Sequence, residues 1–452
     1  MRSTRHRLLP RAAAAALCVL AACAPAARAQ APPPVGLVAA LEEYEGPSTM
    51  AGRPALVAFS PDGRTLAISG AGRSVRLYDA ATGKLLRVLA GGKEGFNGFA
   101  FAPDSRAAAT RSARDRSVTL WDLSTGNQLA RFAGRERDLE TKFKAALTLT
   151  TEFTPVPFSP DGRVLLTERE DDLVAAWGVA DGGQLFTLEH KTETNAAGDV
   201  LSVFLGGSLP LILTAEFAPD GARLVTANGD QAPKLWDAAT GRLVAALKCP
   251  ARTYRASFLP AAVAVVTVSY RGEIDLWDAA TGAHRAALAG ERGDRHATAL
   301  ARDAGPFAAS DDGRLVAAQF KDETKVWDAA SGKEVASFRN KARLLAFGAG
   351  GRVLVTAGGD KRATGRVWDA ASGALRATLA APDADTRSLR LSPDGRHFAT
   401  TSDKSVRVWE TETGQLVATL DKARFPVRFS PDGRRLVTGG TDKTAYLYEL
   451  TP

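Results

Sequence analysis

The sequence predicts an all-β fold assembled from nine copies of one small unit. Three observations carry that expectation. The stretch W-D-A-A-T-G at Trp236–Gly241 recurs almost verbatim at Trp277, Trp327 and Trp368, and more loosely at Trp121, Trp177 and Trp409. Tyr78 heads a copy with Tyr for Trp, and Tyr448 heads a truncated one at the C-terminus. All seven tryptophans of the chain stand at this one position, and a residue type confined to one phase of a repeat is there for packing. A second signature precedes each copy: F-S-P-D-G at Phe59, Phe158 and Phe429, F-A-P-D at Phe101 and Phe217, and L-S-P-D-G at Leu391. Weaker versions stand at Phe258, Ser310 and Phe347.

The N-terminus comes first and differs from the rest. Residues 1–29 hold Arg2, Arg5, Arg7, Arg11 and Arg28 with no acid, and Ala12 to Ala22 is an apolar run too short to span a bilayer as a permanent helix. Basic head, apolar run and cleavage site in that order are those of a secretory signal peptide. Two processing sites compete. Leu20-Ala21-Ala22-Cys23 is similar to a bacterial lipobox, which would place a diacylglyceryl group on Cys23 and end the leader at residue 22. Ala27-Arg28-Ala29 is an A-x-A site that would end it at residue 29. A disordered Ala-rich N-terminus on a cytosolic protein is the plain alternative. Residues 30–35, with Pro32, Pro33 and Pro34, are expected to form a stiff tether. No later apolar run reaches the ~18 residues of a membrane-spanning helix.

The leader also explains the charge. The formal charge of +8 falls to +3 once its five arginines are set aside, and the remainder is spread along the chain. Only 24% of the residues are charged, which argues against wholesale disorder. Cys18 and Cys23 belong to the leader region, so Cys249 stands without a disulfide framework around it and is expected as a small buried hydrophobe.

Within a repeat each piece has a physical reason. Ser, Pro with its fixed φ, Asp and Gly in succession suit a type I turn closing a hairpin, with Gly able to take the following bulge. A β-rich run follows, such as Arg352 to Thr356, then an alternating run such as Ser405 to Trp409. After the W-D-x-x-T-G turn comes a last strand such as Gln415 to Leu420. Each unit is therefore four short strands, mostly about 40 residues.

These two coordinated signatures resemble the WD-repeat family, and the resemblance covers residues 35–450. It implies a β-propeller of four-stranded antiparallel blades over residues 36–452. In that family the W-D pair ends the third strand; here those structural positions are Trp121, Trp177, Trp236, Trp277, Trp327, Trp368 and Trp409, with Asp122, Asp237, Asp278, Asp328 and Asp369. The family's Gly-His dipeptide is missing throughout, with Gly91-Gly92, Gly134-Arg135 or Asp421-Lys422 where it would stand. The family's His–Ser/Thr–Asp–Trp hydrogen-bond network cannot form whole, although an Asp remains in many loops before the third strand (Asp115, Asp230, Asp322, Asp360, Asp403, Asp442).

Closure follows from the residues themselves. The chain ends just past the third strand of its last unit. Leu37-Val38-Ala39-Ala40-Leu41 is identical to Leu243-Val244-Ala245-Ala246-Leu247, a fourth-strand segment. The N-terminal strand is therefore expected to complete the last blade and latch a single ring, removing an exposed sheet edge. Nine repeats predict nine blades, beyond the usual ~4–8; the weak fifth turn, at Phe258, leaves eight open as the alternative.

Function is less legible. Three connections from a fourth strand to the next first strand are long, at Ala133–Pro157, Glu189–Leu213 and Ala289–Phe307, and the family's geometry gathers them on one face around the channel. The first is charged and the second reads as an extra hairpin. Such loops on a rigid body are where function usually lies, the alternative being tolerated insertions. No catalytic residue is predicted. His190, His284, His296 and His397 lie in no metal-ligand spacing, no G-x-S-x-G elbow or phosphate-cradling loop occurs, and Asp171-Asp172 and Asp311-Asp312 fall in turns. His397 is expected as a packed strand residue. Phe96, Tyr254 and Tyr270 are the aromatic residues near loops that could present them. The Asp-Gly-Arg arginines (Arg64, Arg163, Arg314, Arg396, Arg434) are spaced on turns rather than in a stripe, so no nucleic acid is expected. The expectation is an exported, monomeric, non-enzymatic scaffold of the periplasm or outer cell envelope. It would bind an unidentified protein or peptide, without cofactor or metal, and touch the membrane only through a lipid on Cys23. A small-molecule or glycan binder using the channel is the second reading, and a propeller hydrolase or lyase the third.

Overall fold

A computed structural model of the protein describes residues 35–41, 56–69, 74–90, 95–112, 115–132, 158–168, 173–189, 214–227, 232–249, 253–261, 264–269, 273–288, 307–320, 322–358, 365–379, 386–402, 405–440, 442 and 444–450. Every regular element among them is a strand, and the strands form nine separate antiparallel sheets. In chain order these are blades 1 (56–90), 2 (96–132), 3 (164–189), 4 (214–246), 5 (253–288), 6 (307–339), 7 (344–378) and 8 (388–420). Blade 9 is formed by 423–450 together with 35–41. Eight are four-stranded meanders. Blade 3 has three described strands, and Phe158 adds an antiparallel bridge to Leu165 where its first strand would run. The nine-blade expectation holds, and the weakened fifth repeat is a full blade.

The expected latch is present. Val35–Leu41 pairs antiparallel with Ala445–Leu450, from Val35 opposite Leu450 to Leu41 opposite Ala445. The strand begins at Val35, inside the stretch assigned to the Pro-rich tether, because Leu450 still offers Val35 a partner there. Its identity with the blade 4 segment extends to its surroundings. Leu37 and Leu243 are both about half exposed, while Leu41 and Leu247 are both fully buried. The turn glycine of the following blade faces Ala39 and Leu41 in one case (Gly83) and Ala245 and Leu247 in the other (Gly282). The same five residues find the same site twice.

Burial explains the strand sequences. A blade has neighbours on both faces, so its second strand loses the half-buried alternation and becomes a continuous apolar run; all six residues of Ala264–Ser269 are buried. The fourth strand is the outer rim, and every large hydrophobic side chain that is markedly exposed among the described residues lies on it, Leu129, Leu185, Leu375 and Leu416 included. Nine hydrophobic clusters fill the nine seams. Ala67, Leu77 and Leu89 of blade 1 meet Phe96, Phe99 and Ala108 of blade 2. Leu41, Val437 and Leu447 of blade 9 meet Val57, Leu66 and Tyr78 of blade 1, which closes the ring. Seven further clusters take the seams between.

Candidate functional site

Both signatures are turns, and both lie on one face of the ring, because a four-stranded meander places its first and third connections at the same end. In the S-P-D-G turn of blade 1, Gly63 N–H donates to Ser60 O at 2.8 Å. Ser60 Oγ donates to Asp62 Oδ1 at 2.6 Å and accepts from Thr65 N–H at 2.9 Å. Ser159, Ser310, Ser392 and Ser430 repeat this arrangement. The turns also touch one another: a Cβ on Gly162 would meet Pro103 of blade 2, one on Gly221 would meet Pro160 of blade 3, and one on Gly63 would meet Pro431 of blade 9. In the W-D turn the Asp carboxylate caps the loop. Asp278 Oδ1 accepts from Thr281 N–H and Oγ1–H, both at 2.8 Å, and Arg285 holds its other oxygen. Asp122, Asp237, Asp328 and Asp369 make the same cap. The Arg285 hydrogen bond, then that of Thr281, holds the Asp278 carboxyl down at about 2.

The predicted tryptophans are packing residues with a polar handle. Each indole N–H of Trp121, Trp177, Trp236, Trp277, Trp368 and Trp409 donates to a threonine hydroxyl of the second strand (Thr110, Thr167, Thr226, Thr267, Thr356, Thr400) at 2.8–3.0 Å. The family network lacks its histidine here, and the threonine serves as the acceptor that burial of an indole requires. In blade 6 Ala318 occupies that register position, and Phe320 packs edge-on against Trp327 instead. The sequence signature does not display these threonines, although each pairs opposite the residue two before its Trp.

The remaining candidate residues scatter. Phe96 is buried in the seam of blades 1 and 2 rather than presented to a channel, because its side chain completes that core. Asp312 is held by Ser310 in its own turn, and Asp311 has its carboxyl raised by burial and by Asp312. His397 starts the second strand of blade 8, where its Nδ1 is buried without a hydrogen-bond partner. Cys249 packs against the seam of blades 4 and 5, with Sγ 3.5 Å from Thr267 Oγ1, and burial pushes its thiol up, away from the reactive thiolate. His284 pairs with Asp275 across blade 5. Of the loop aspartates, Asp115 binds Ser117 and Arg131, and Asp442 accepts from Tyr446. Among the described residues no three His, Cys, Asp or Glu side chains gather as a metal site, and no helix is long and apolar enough to cross a membrane. Cys23, His190, His296, Tyr270, Asp171-Asp172, Asp230, Asp360 and Asp403 lie outside the described residues, as does nearly all of the three long connections. The flanks of those connections are described: Phe132 and Phe158, Glu189 and Thr214, Leu288 and Phe307. All three connections therefore leave from the face opposite the turns, at the seams 2–3, 3–4 and 5–6.

The family profile described as "WD domain, G-beta repeat" matches residues 56–79, 373–410 and 423–449, which lie in blades 1, 7–8 and 9. WD repeats are thus present in this chain. The chain is 23% identical over 191 residues to a guanine nucleotide-binding protein subunit beta of Oryza sativa subsp. japonica, covering 41% of this chain and 44% of that protein. It is 36% identical over 109 residues to protein tipD of Dictyostelium discoideum, covering 24% of this chain and 18% of that one. It is 25% identical over 450 residues to telomerase protein component 1 of Rattus norvegicus, covering 88% of this chain and 16% of that one. The chain thus spans less than half the length of each of these relatives. Among solved structures, the computationally designed protein Ika8 superposes with a TM-score of 0.53 over 92% of this chain and 99% of its own, at 16% identity, a likeness of fold.

Proposed function

We propose that the protein is a non-enzymatic protein-interaction scaffold of the bacterial cell envelope, holding a protein or peptide on the face that carries the long connections. The observation that carries this reading is the division of labour between the two faces of the ring. One face is given over to turns whose carboxylates and hydroxyls are already hydrogen-bonded to each other. The other receives three extended connections at the seams 2–3, 3–4 and 5–6, so chemistry beyond the repeat is concentrated there. Relatives named as a subunit and as a component supply support of a general kind, since both words describe parts of assemblies. The envelope assignment rests on the leader in residues 1–29, with its competing processing sites at Cys23 and Ala29.

Crosslinking capture from envelope extract tests the interaction, comparing the intact chain with one shortened at 133–157 and 189–213 whose melting curve matches the intact protein. The expected result is a specific protein captured by the intact chain alone. Equal capture by both sinks the reading. Mass spectrometry of the processed N-terminus decides the anchor: a diacylglyceryl-modified Cys23 supports it, and a chain beginning at Gln30 removes it.

A further inference from the structure

The nine copies form an internal alignment, and one position in it is broken in a single blade. The residue two before the signature aromatic is basic in five copies (Arg76, Lys234, Lys325, Arg366, Arg407) and neutral in three (Thr119, Ala175, Tyr446). In blade 5 it is Asp275. Its side chain is only 7% exposed. A carboxylate removed from water is costly unless its oxygens are satisfied. Asp275 Oδ1 is 2.9 Å from His284 Nε2, and His284 is its one hydrogen-bond partner among the described residues. The fold does not call for this pair, because eight copies build the same strand without an acid. Departures of this kind from a repeat's own rule mark functional positions.

The pair borders a groove on the rim, of about 500 Å³, at the seam of blades 4 and 5. Ala246 and Lys248 line it from blade 4, and Asp275, Trp277, His284 and Ala287 from blade 5. Gly282, with φ of +72°, forms part of the same wall. The imidazole is held in place by two contacts: the carboxylate, and the Trp277 ring, which meets it edge-on at 4.8 Å between centroids. When Nε2–H donates to Asp275, the imidazole in its neutral form offers Nδ1 as an acceptor. The groove therefore presents acceptors (Asp275 and the half-exposed imidazole of His284), a donor (the exposed Lys248) and small apolar side chains.

A purely anionic ligand would be opposed by Asp275, and a purely cationic one by Lys248. A neutral ligand whose hydroxyls both donate and accept suits the mixed set, and its C–H face suits Ala246, Ala287 and the imidazole. We propose that the rim groove between blades 4 and 5 binds a saccharide, with Asp275 and His284 accepting its hydroxyl protons and Lys248 donating to a ring or hydroxyl oxygen. The site is independent of the loop face and of any protein bound there.

The test is calorimetric titration of the full chain with cellobiose, maltose and N,N′-diacetylchitobiose, alongside glycylglycine as a zwitterionic probe. Saturable binding of at least one disaccharide is expected. Asp275→Asn should weaken it roughly tenfold or more, as removal of a charged hydrogen-bond partner does. Lys248→Ala, at an exposed position with little folding risk, should weaken it as well. Glu334→Gln, at the register position of His284 in blade 6, should leave it unchanged. Failure of all three disaccharides to bind, binding of glycylglycine alone, or undiminished affinity in both Asp275→Asn and Lys248→Ala would overturn the proposal. Capture of a protein by the loop face stands or falls separately.

Discussion

Single side chains hold this ring through two recurring polar devices. The first is the indole–threonine bond. Thr400→Val keeps the shape of the side chain but leaves the buried Trp409 N–H without its acceptor. A loss of about 1–3 kcal/mol in unfolding free energy is expected, measured by urea titration. The second is the capping aspartate. Asp278 and Asp115 both have carboxyls held at about 2. For Asp278 the Arg285 hydrogen bond leads. For Asp115 burial alone would raise the value, and bonds from Ser117 and Ser112 outweigh it. A depressed folded-state pKa contributes stability that is complete above the unfolded value, near 3.8, and is lost as pH falls toward about 2. The protein should therefore lose stability between about pH 4 and pH 2, and Asp278→Asn should flatten that slope while lowering stability at neutral pH. Unfolding midpoints measured across this range check the sign.

At the scale of elements, the strand that closes the ring behaves as an ordinary fourth strand supplied from the far end of the chain. The identical pentapeptides at 37–41 and 243–247 make this testable. Leu41→Ala and Leu247→Ala should each cost about 2–5 kcal/mol, because both side chains are fully buried. Leu37→Ala and Leu243→Ala, both half exposed, should change stability by less than about 0.5 kcal/mol. A large cost at Leu247 with none at Leu41 would mean that the latch is not seated in solution. The W-D turn is equally constrained. Gly282 has a positive φ, and an added Cβ would lie 2.3 Å from Ala245 Cβ, so Gly282→Ala should cost about 1–3 kcal/mol. Gly350 has a similar φ with nothing within 4 Å, and there only the backbone strain of about 1–2 kcal/mol applies.

Over the whole molecule, stability is shared among nine seams, each filled from two neighbouring blades. No blade covers its own faces, so the ring depends on every neighbour being in place. Deleting residues 35–41 would uncover the edge of Ala445–Leu450 and remove Leu41 from the seam of blades 9 and 1. A lower melting temperature is expected, with concentration-dependent association seen by light scattering, since an unpaired edge strand invites pairing between chains. An unchanged melting temperature and a monodisperse truncated chain would argue that the ring closes without the strand.

The repeat, its four strands, the turn chemistry and the closing strand were legible in the residues alone, because each is local or is signalled by identity between distant segments. Nine signatures named nine blades, and Leu37 to Leu41 announced its place by matching Leu243 to Leu247. The Trp–Thr bonds and the Asp275–His284 pair are not legible there, because each depends on register: which residue of one strand lies opposite which residue of the next. A tandem sequence displays what every copy shares. The groove at the seam of blades 4 and 5 belongs to one copy and combines residues from two blades, so only the folded ring brings Lys248 to the same wall as Asp275 and His284. Packing and turn geometry set the fold residue by residue, whereas a site between blades exists only once the blades are side by side.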